Sequence, residues 1–215
     1  MTLDIYSNIS DSYLQKFPRV IFDKDEIIVP AEEVKTISIY YILEGECIVY
    51  SNSFNGRRFL IDELSSGDFI GKFSQMRNYN FYCEAIAATK CTAFDITQYL
   101  PELFRDPKFS LYFSKKTTDR LYRMYKISMS RDLFKYEELL SYYLLSMKDG
   151  NNNVVLNDEY LCLKLNISTR NYFYILKKMI KDGVIAKKCG KIVILNVEYL
   201  KKTASLVFAF MGEKL

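Results

Sequence analysis

The chain has 215 residues, 30 Lys/Arg against 26 Asp/Glu and a formal net charge of +4, enough for one large or two small domains, each with its own core. Its charge is divided: residues 1–105 hold ten Lys/Arg against fifteen Asp/Glu (net −5), and residues 106–215 hold twenty against eleven (net +9). Only the second half is suited to a polyanion, and the absence of histidine removes the usual general base, the usual zinc or haem ligand and the simplest pH switch.

Residues 1–19 read as a short helical lead-in ending near Pro18, and from Ile21 to about Ile96 the chain reads as successive short strands. Glu26–Val29 is one, Pro30–Glu33 turns, Thr36–Leu43 is apolar and β-rich, and Cys47–Tyr50 returns after a Glu44-Gly45-Glu46 turn. Asn55-Gly56 between Ile48–Tyr50 and Phe59–Leu64 is a strong hairpin signal. Ser65–Asp68 turns into Phe69-Ile70-Gly71, and Phe81–Ala88 and Thr92–Ile96 complete the set. Many short strands at near-regular spacing predict a β-sandwich or jelly roll.

Beyond residue 96 the pattern becomes helical. Thr97 is placed to cap a short helix through Phe104, and Pro107 opens a longer one to about Ser130. Its apolar positions, among them Leu111, Tyr112, Phe113, Leu121, Tyr122, Met124, Tyr125 and Ile127, form a broad stripe rather than a heptad seam. Such a helix either pairs with a second copy or packs on the β domain. Asp132–Met147 is a further amphipathic helix with Leu133, Phe134, Leu139, Leu140, Tyr143 and Leu144 inward, followed by a turn at 149–153 and a short strand at Val154–Leu156.

Leu156–Lys181 organises the second half. Asn157 followed by Asp158 and Glu159 reads as a helix start, and Ser168 caps a second helix that runs to about Asp182 and stops at Gly183. Two helices joined by a tight turn make a helix-turn-helix. In the second helix Tyr172, Phe173, Leu176, Met179 and Ile180 recur as a buried stripe, and Arg170, Asn171, Tyr174, Lys177, Lys178 and Lys181 share the opposite face. That face suits base edges flanked by phosphates, although a solvated lysine-rich face has the same pattern. Val184–Ala186 and Ile192–Leu195 around Lys187-Lys188-Cys189-Gly190-Lys191 then predict a hairpin, a basic wing beside the second helix. Both point to double-stranded DNA.

The five cysteines (Cys47, Cys83, Cys91, Cys162, Cys189) show no CxxC and no metal-ligand spacing. No basic-then-apolar segment opens the chain, and the longest apolar run, Ala204–Met211, is broken by Ser205 and too short for a bilayer. A cytoplasmic protein without cofactor, metal or membrane partner is expected. No nucleophile–base pair, metal-ligand cluster or phosphate-cradling Gly loop supports an enzyme, and Asp62-Glu63 is an acidic pair whose members point to opposite faces of a strand.

The segment YYILEGECIVYSNSFNGRRFLIDELSSGDFIGKF, with Leu43–Gly45, the Asn-Gly turn and Gly67-Asp68-Phe69-Ile70-Gly71, resembles the β-roll of the Crp/Fnr family of bacterial transcription regulators. ISTRNYFYILKKMIKDGVIAKKCGKIVIL is similar to that family's recognition helix and wing. The resemblance covers about residues 20 to 200 and is nearest to the YeiL-like members. It implies an α+β fold: a double-stranded β-helix (jelly-roll, cyclic-nucleotide-binding-like) sensor domain over 1–106, a dimerisation helix over 107–131, and a winged helix-turn-helix domain over 132–215. It also implies a homodimer on a promoter palindrome, with recognition helices entering major grooves about 34 Å apart, and a contact with RNA polymerase. Carried over, the base-reading positions are Thr169, Arg170 and Tyr174. Ser168, Asn171 and Lys177 fall at phosphates, and Lys178 and the wing's Lys188 complete the expected DNA-binding residues. Thr169, Arg170 and Tyr174 depart from the family's common residues, so a different operator is expected.

The effector site departs further. Nucleotide-binding members resemble Gly-Glu-Leu followed by Arg-Ser or Arg-Thr, whereas here Gly71 precedes Lys72-Phe73 and Asn80–Cys83 holds no Arg. Without that Arg a buried phosphate is poorly paired, so cyclic AMP and GMP are not expected. Gly71, Lys72, Phe73, Tyr82 and Cys83 remain the candidate lining for an unknown small-molecule effector, and Cys83 and Cys91, flanking adjacent predicted strands, could form a thiol sensor or be small buried hydrophobes. The other class of function left open is a protein-interaction module that docks through the winged helix.

Overall fold

The extended backbone of Arg58–Ser65 (β5) turns Leu60, Asp62 and Leu64 to one buried face and leaves Arg58 and Ser65 exposed. β5 pairs antiparallel with Glu46–Asn52 (β4), as the Asn55-Gly56 signal predicts, although residues 53–57 lie outside the described residues. The structure, a computed structural model, describes residues 15–30, 38–52, 58–71, 82–155, 157–188 and 190–213, so the predicted lead-in helix and the 31–33 turn fall almost wholly outside it. The chain divides into two compact units, residues 1–122 and 123–215.

In the first unit Arg19–Phe22 (β1), Ile39–Glu44 (β3), Phe69–Gly71 (β6) and Cys91–Asp95 (β8) form a four-stranded sheet in the order β1-β8-β3-β6. Ile27–Val29 (β2) and Tyr82–Ala87 (β7) join β4 and β5 in a second, ordered β2-β7-β4-β5. All their pairings are antiparallel. The buried side chains of Ile42, Cys47, Leu64, Ile70 and Cys91 form one core; Ile39, Phe69 and Phe94 form another with Phe109 and Tyr112. Gly45 (φ 96°) is required at its hairpin, because a Cβ there would collide with the Lys90 carbonyl. A short 3-10 turn, Thr97–Tyr99, leads into Leu100–Leu103 (α1). Thr97 does not cap it. Its Oγ1 accepts from the Ile39 amide at 2.9 Å instead, tying β3 to the chain beyond β8.

Pro107–Leu133 (α2) is longer than its periodicity predicts and crosses from the first unit into the second. The expected helix start at Asp132 is therefore wrong: Asp132 and Leu133 finish α2, and Leu133 is exposed. The next helix, Tyr136–Met147 (α3), begins after Lys135, whose amide is accepted by the Glu138 carboxylate at 2.7 Å. That reciprocal start satisfies an end donor in a way Asp132 does not, because the Phe134 amide still bonds back to Ser130.

In the second unit α3 is followed by Asn153–Val155 (β9), Asp158–Leu165 (α4), Thr169–Lys181 (α5), Ile185–Lys188 (β10), Lys191–Ile194 (β11) and Val197–Met211 (α6). The strands form a sheet ordered β10-β11-β9, so β9 adds a third strand to the predicted hairpin. Leu139, Leu140, Leu144, Leu161, Leu165, Tyr172, Leu176, Ile192, Leu200 and Val207 make its core.

Candidate nucleic-acid interface

The Asn157 side chain accepts from the Tyr160 amide at 3.1 Å and starts α4, which ends at Asn166 in the left-handed conformation (φ 52°). Ile167 is buried in the turn, and Ser168 Oγ accepts from the Asn171 amide at 3.2 Å to start α5. At the far end Gly183 (φ 69°) closes the helix, with its amide on the Ile180 carbonyl and the Val184 amide on that of Met179. Both ends of α5 are thus set by local chemistry. Ser168→Ala is expected to cost about 1 kcal/mol, read as a lowered urea midpoint of the purified chain.

Around the α5 axis, at 100° per residue, Arg170, Tyr174, Lys177 and Lys181 form one outward ridge. All four are exposed, Tyr174 by 72%. Tyr172, Leu176 and Met179 are buried on the opposite side, and Ile175 packs partly against the core. The buried stripe is narrower than predicted. Phe173 is 36% exposed and Ile180 40%, because both sit at the edge of the buried sector, where the core no longer covers them. The Lys187 ammonium lies 5.7 Å from the Phe173 ring centroid.

The expected site residues come together on this surface. Ser168, Thr169, Arg170, Asn171, Tyr174, Lys177 and Lys178 occupy the first three turns and cap of α5, and Lys188 is exposed at the end of β10. Two basic side chains are already engaged within the unit. Lys178 Nζ lies 2.7 Å from Glu137 Oε2, and Lys187 Nζ lies 3.0 Å from Asp158 Oδ2. Asp158 also accepts from the buried Tyr172 hydroxyl at 2.8 Å, and burial together with that carboxylate pushes the phenol well above its ordinary range. Glu137 was not picked out from the sequence, and Asp158 only as part of a helix start; both lie on helix first turns, where acids are ordinary.

The expected effector residues are less fully placed. Gly71 (φ 149°) pairs with Ile39, and a Cβ on it would collide with the Ser38 carbonyl. Lys72 and Phe73 lie outside the described residues, and Tyr82 and Cys83 are placed by their backbone alone, opposite Asn52 and Ser51. Cys83 and Cys91 are not on adjacent strands: β7 belongs to one sheet and β8 to the other. Cys91 instead faces Cys47, with 3.6 Å between two buried sulfurs, and the Cys91 sulfur, then burial, push the Cys47 thiol up. On the interior face of β5, Asp62 is 2% exposed and accepts from Arg120 Nε at 2.5 Å, while Arg120 Nη1 donates to the Phe69 carbonyl at 3.1 Å. Among the described residues no cluster of acidic or Cys side chains could hold a metal ion, and no helix is long and apolar enough to cross a membrane.

In chain order an antiparallel two-sheet β domain is followed by a long helix and by a helical unit with a three-stranded sheet. Residues 19–100 match the cyclic nucleotide-binding domain family. The chain is 25% identical over 171 residues to the regulatory protein YeiL of Escherichia coli O157:H7, a match covering 77% of this chain and 76% of that one. A protein described as a transcriptional regulator of the Crp/Fnr family from Eubacterium rectale shares the fold with a TM-score of 0.75 at 15% identity, covering 94% of this chain and 97% of its own. A CRP-family regulator from Thermus thermophilus does so at 0.70 and 16% identity, over 86% and 96%. The chain is thus similar in sequence to one regulatory protein and shares its fold with two proteins described as regulators.

Proposed function

We propose that the chain is a DNA-binding transcription regulator of the Crp/Fnr type, a cytoplasmic homodimer that reads a palindromic promoter operator through a winged helix formed by α4, α5 and the β10–β11 hairpin. The observation that carries this is the α5 ridge of Arg170, Tyr174, Lys177 and Lys181, fully outward on a helix whose other side is core. Thr169, Arg170 and Tyr174 reach base edges; Ser168, Asn171, Lys177 and the wing's Lys188 meet phosphates. Leu111, Leu121, Tyr122 and Tyr125 are exposed along α2, at helical spacing, and a second copy covers them.

The effector is not cyclic AMP, and the β-roll takes another small molecule or none. The reason is that Gly71 is followed by Lys72-Phe73 and Asn80–Cys83 holds no Arg, so a buried phosphate has no guanidinium to pair with. Selection from a random duplex pool by the reduced protein, without added ligand, tests the DNA reading. A palindrome with half-sites one helical turn apart is the expected result, and no enrichment, even with cell extract added, counts against it.

The exposed Phe173, Tyr174 and Ile180 favour a second reading, in which the same surface docks a protein. In that case Arg170→Ala and Lys177→Ala would leave promoter control intact.

A further inference from the structure

One flank of the α5 ridge is closed by a carboxylate. Glu137, in the first turn of α3, takes the Lys178 ammonium on Oε2 at 2.7 Å and the Tyr199 hydroxyl of α6 on Oε1 at 3.0 Å. Its side chain is 22% exposed and that of Lys178 49%, so the pair sits at the rim, open to water yet fixed by a third group. Lys178 follows Lys177 by 100° on the helix, which puts its Cβ beside the ridge and on the Glu137 side. The bond to Lys178, with help from Tyr199, holds the Glu137 carboxyl below its ordinary range, so the acid stays charged. Across the ridge Asp158 engages Lys187 in the same manner.

We propose that Glu137 is a positioning residue that withholds Lys178 from the DNA backbone and so limits the phosphate contacts made along α5. This rests on the DNA reading above. Each phosphate neutralised by a cation releases counterions and adds about 0.9 to the salt slope of binding. A lysine kept on an internal carboxylate adds nothing, and the carboxylate itself repels a neighbouring phosphate. The device weakens binding to every duplex alike, because a phosphate contact carries no sequence information.

The test is the salt dependence of duplex binding by the full chain, measured by fluorescence anisotropy on a random-sequence duplex. Glu137→Gln, which keeps the shape and the Tyr199 acceptor, is expected to steepen the slope by about 0.9 per subunit, about 1.8 for the homodimer, and to tighten binding roughly 60-fold at 0.1 M salt. Adding Lys178→Gln to that variant is expected to cancel the gain. An unchanged or shallower slope in Glu137→Gln, or a gain that survives the loss of Lys178, overturns the proposal. The lysine ammonium resonances give a measurement without substitution: the Lys178 signal stays at its free-protein position in the wild-type complex, and a shift on DNA addition would overturn the proposal. Failure of the wild-type chain to bind any duplex overturns the DNA reading itself, whereas wild-type binding with no response at Glu137 overturns only this inference.

Discussion

Arg120→Ala is expected to destabilise the chain by about 3 kcal/mol, at the low end of what breaking a buried ion pair from one side costs. The reason is Asp62. Its side chain is 1% exposed, one oxygen accepts from Arg120 Nε, and the other accepts from the Glu63 amide at 2.9 Å. Removing the guanidinium leaves that carboxylate with a fraction of its solvation replaced and strips a donor from the Phe69 carbonyl. The Arg120 side chain is 26% exposed, so water enters the vacated space and keeps the loss from the upper end of the range. Asp62→Leu with Arg120→Met removes both charges and is expected to recover most of the stability. Urea unfolding followed by far-UV circular dichroism checks both. A shift below about 1 kcal/mol for Arg120→Ala would make the pair an ordinary screened one.

The strands and the two helices around Ser168 were legible because their signals are local. The apolar runs at Ile48–Tyr50 and Phe59–Leu64, the glycine at 45 and the caps at Asn157 and Ser168 each act within a few residues, and the structure follows them. What was not legible depends on partners far along the chain. Thr97 reads as a cap, yet its hydroxyl bonds to Ile39, and Asp132 reads as a helix start, yet α2 runs through it. Cys91 faces Cys47 because β7, which carries Cys83, lies in the other sheet from β8, and spacing along the chain carries no information about sheet order. The exposed ridge of α5 followed directly from its period. The carboxylates beside it did not, since Glu137 is 41 residues from Lys178 and meets it only through packing of α3 on the rest of the unit.

Arg170→Ala is expected to relax base preference at one position of each half-site, by about 1–3 kcal/mol or roughly 5- to 150-fold in relative affinity. Arg170 stands in the first turn of α5, exposed, on the same ridge as Tyr174 and directly after Thr169, which follows the cap that fixes the helix start. A guanidinium at such a position presents two parallel donors that match the O6 and N7 acceptors of guanine, and alanine matches no base edge. Lys177→Gln differs in kind. It sits two turns further along, and its loss is expected to weaken all duplexes equally while flattening the salt slope by about 0.9 per subunit, about 1.8 for the homodimer. The two variants therefore separate reading from holding: selection with Arg170→Ala should return a motif degenerate at one base, and selection with Lys177→Gln the wild-type motif at lower yield. An unchanged motif for Arg170→Ala would remove its base-reading role, and an unchanged slope for Lys177→Gln would remove the phosphate contact assigned to it.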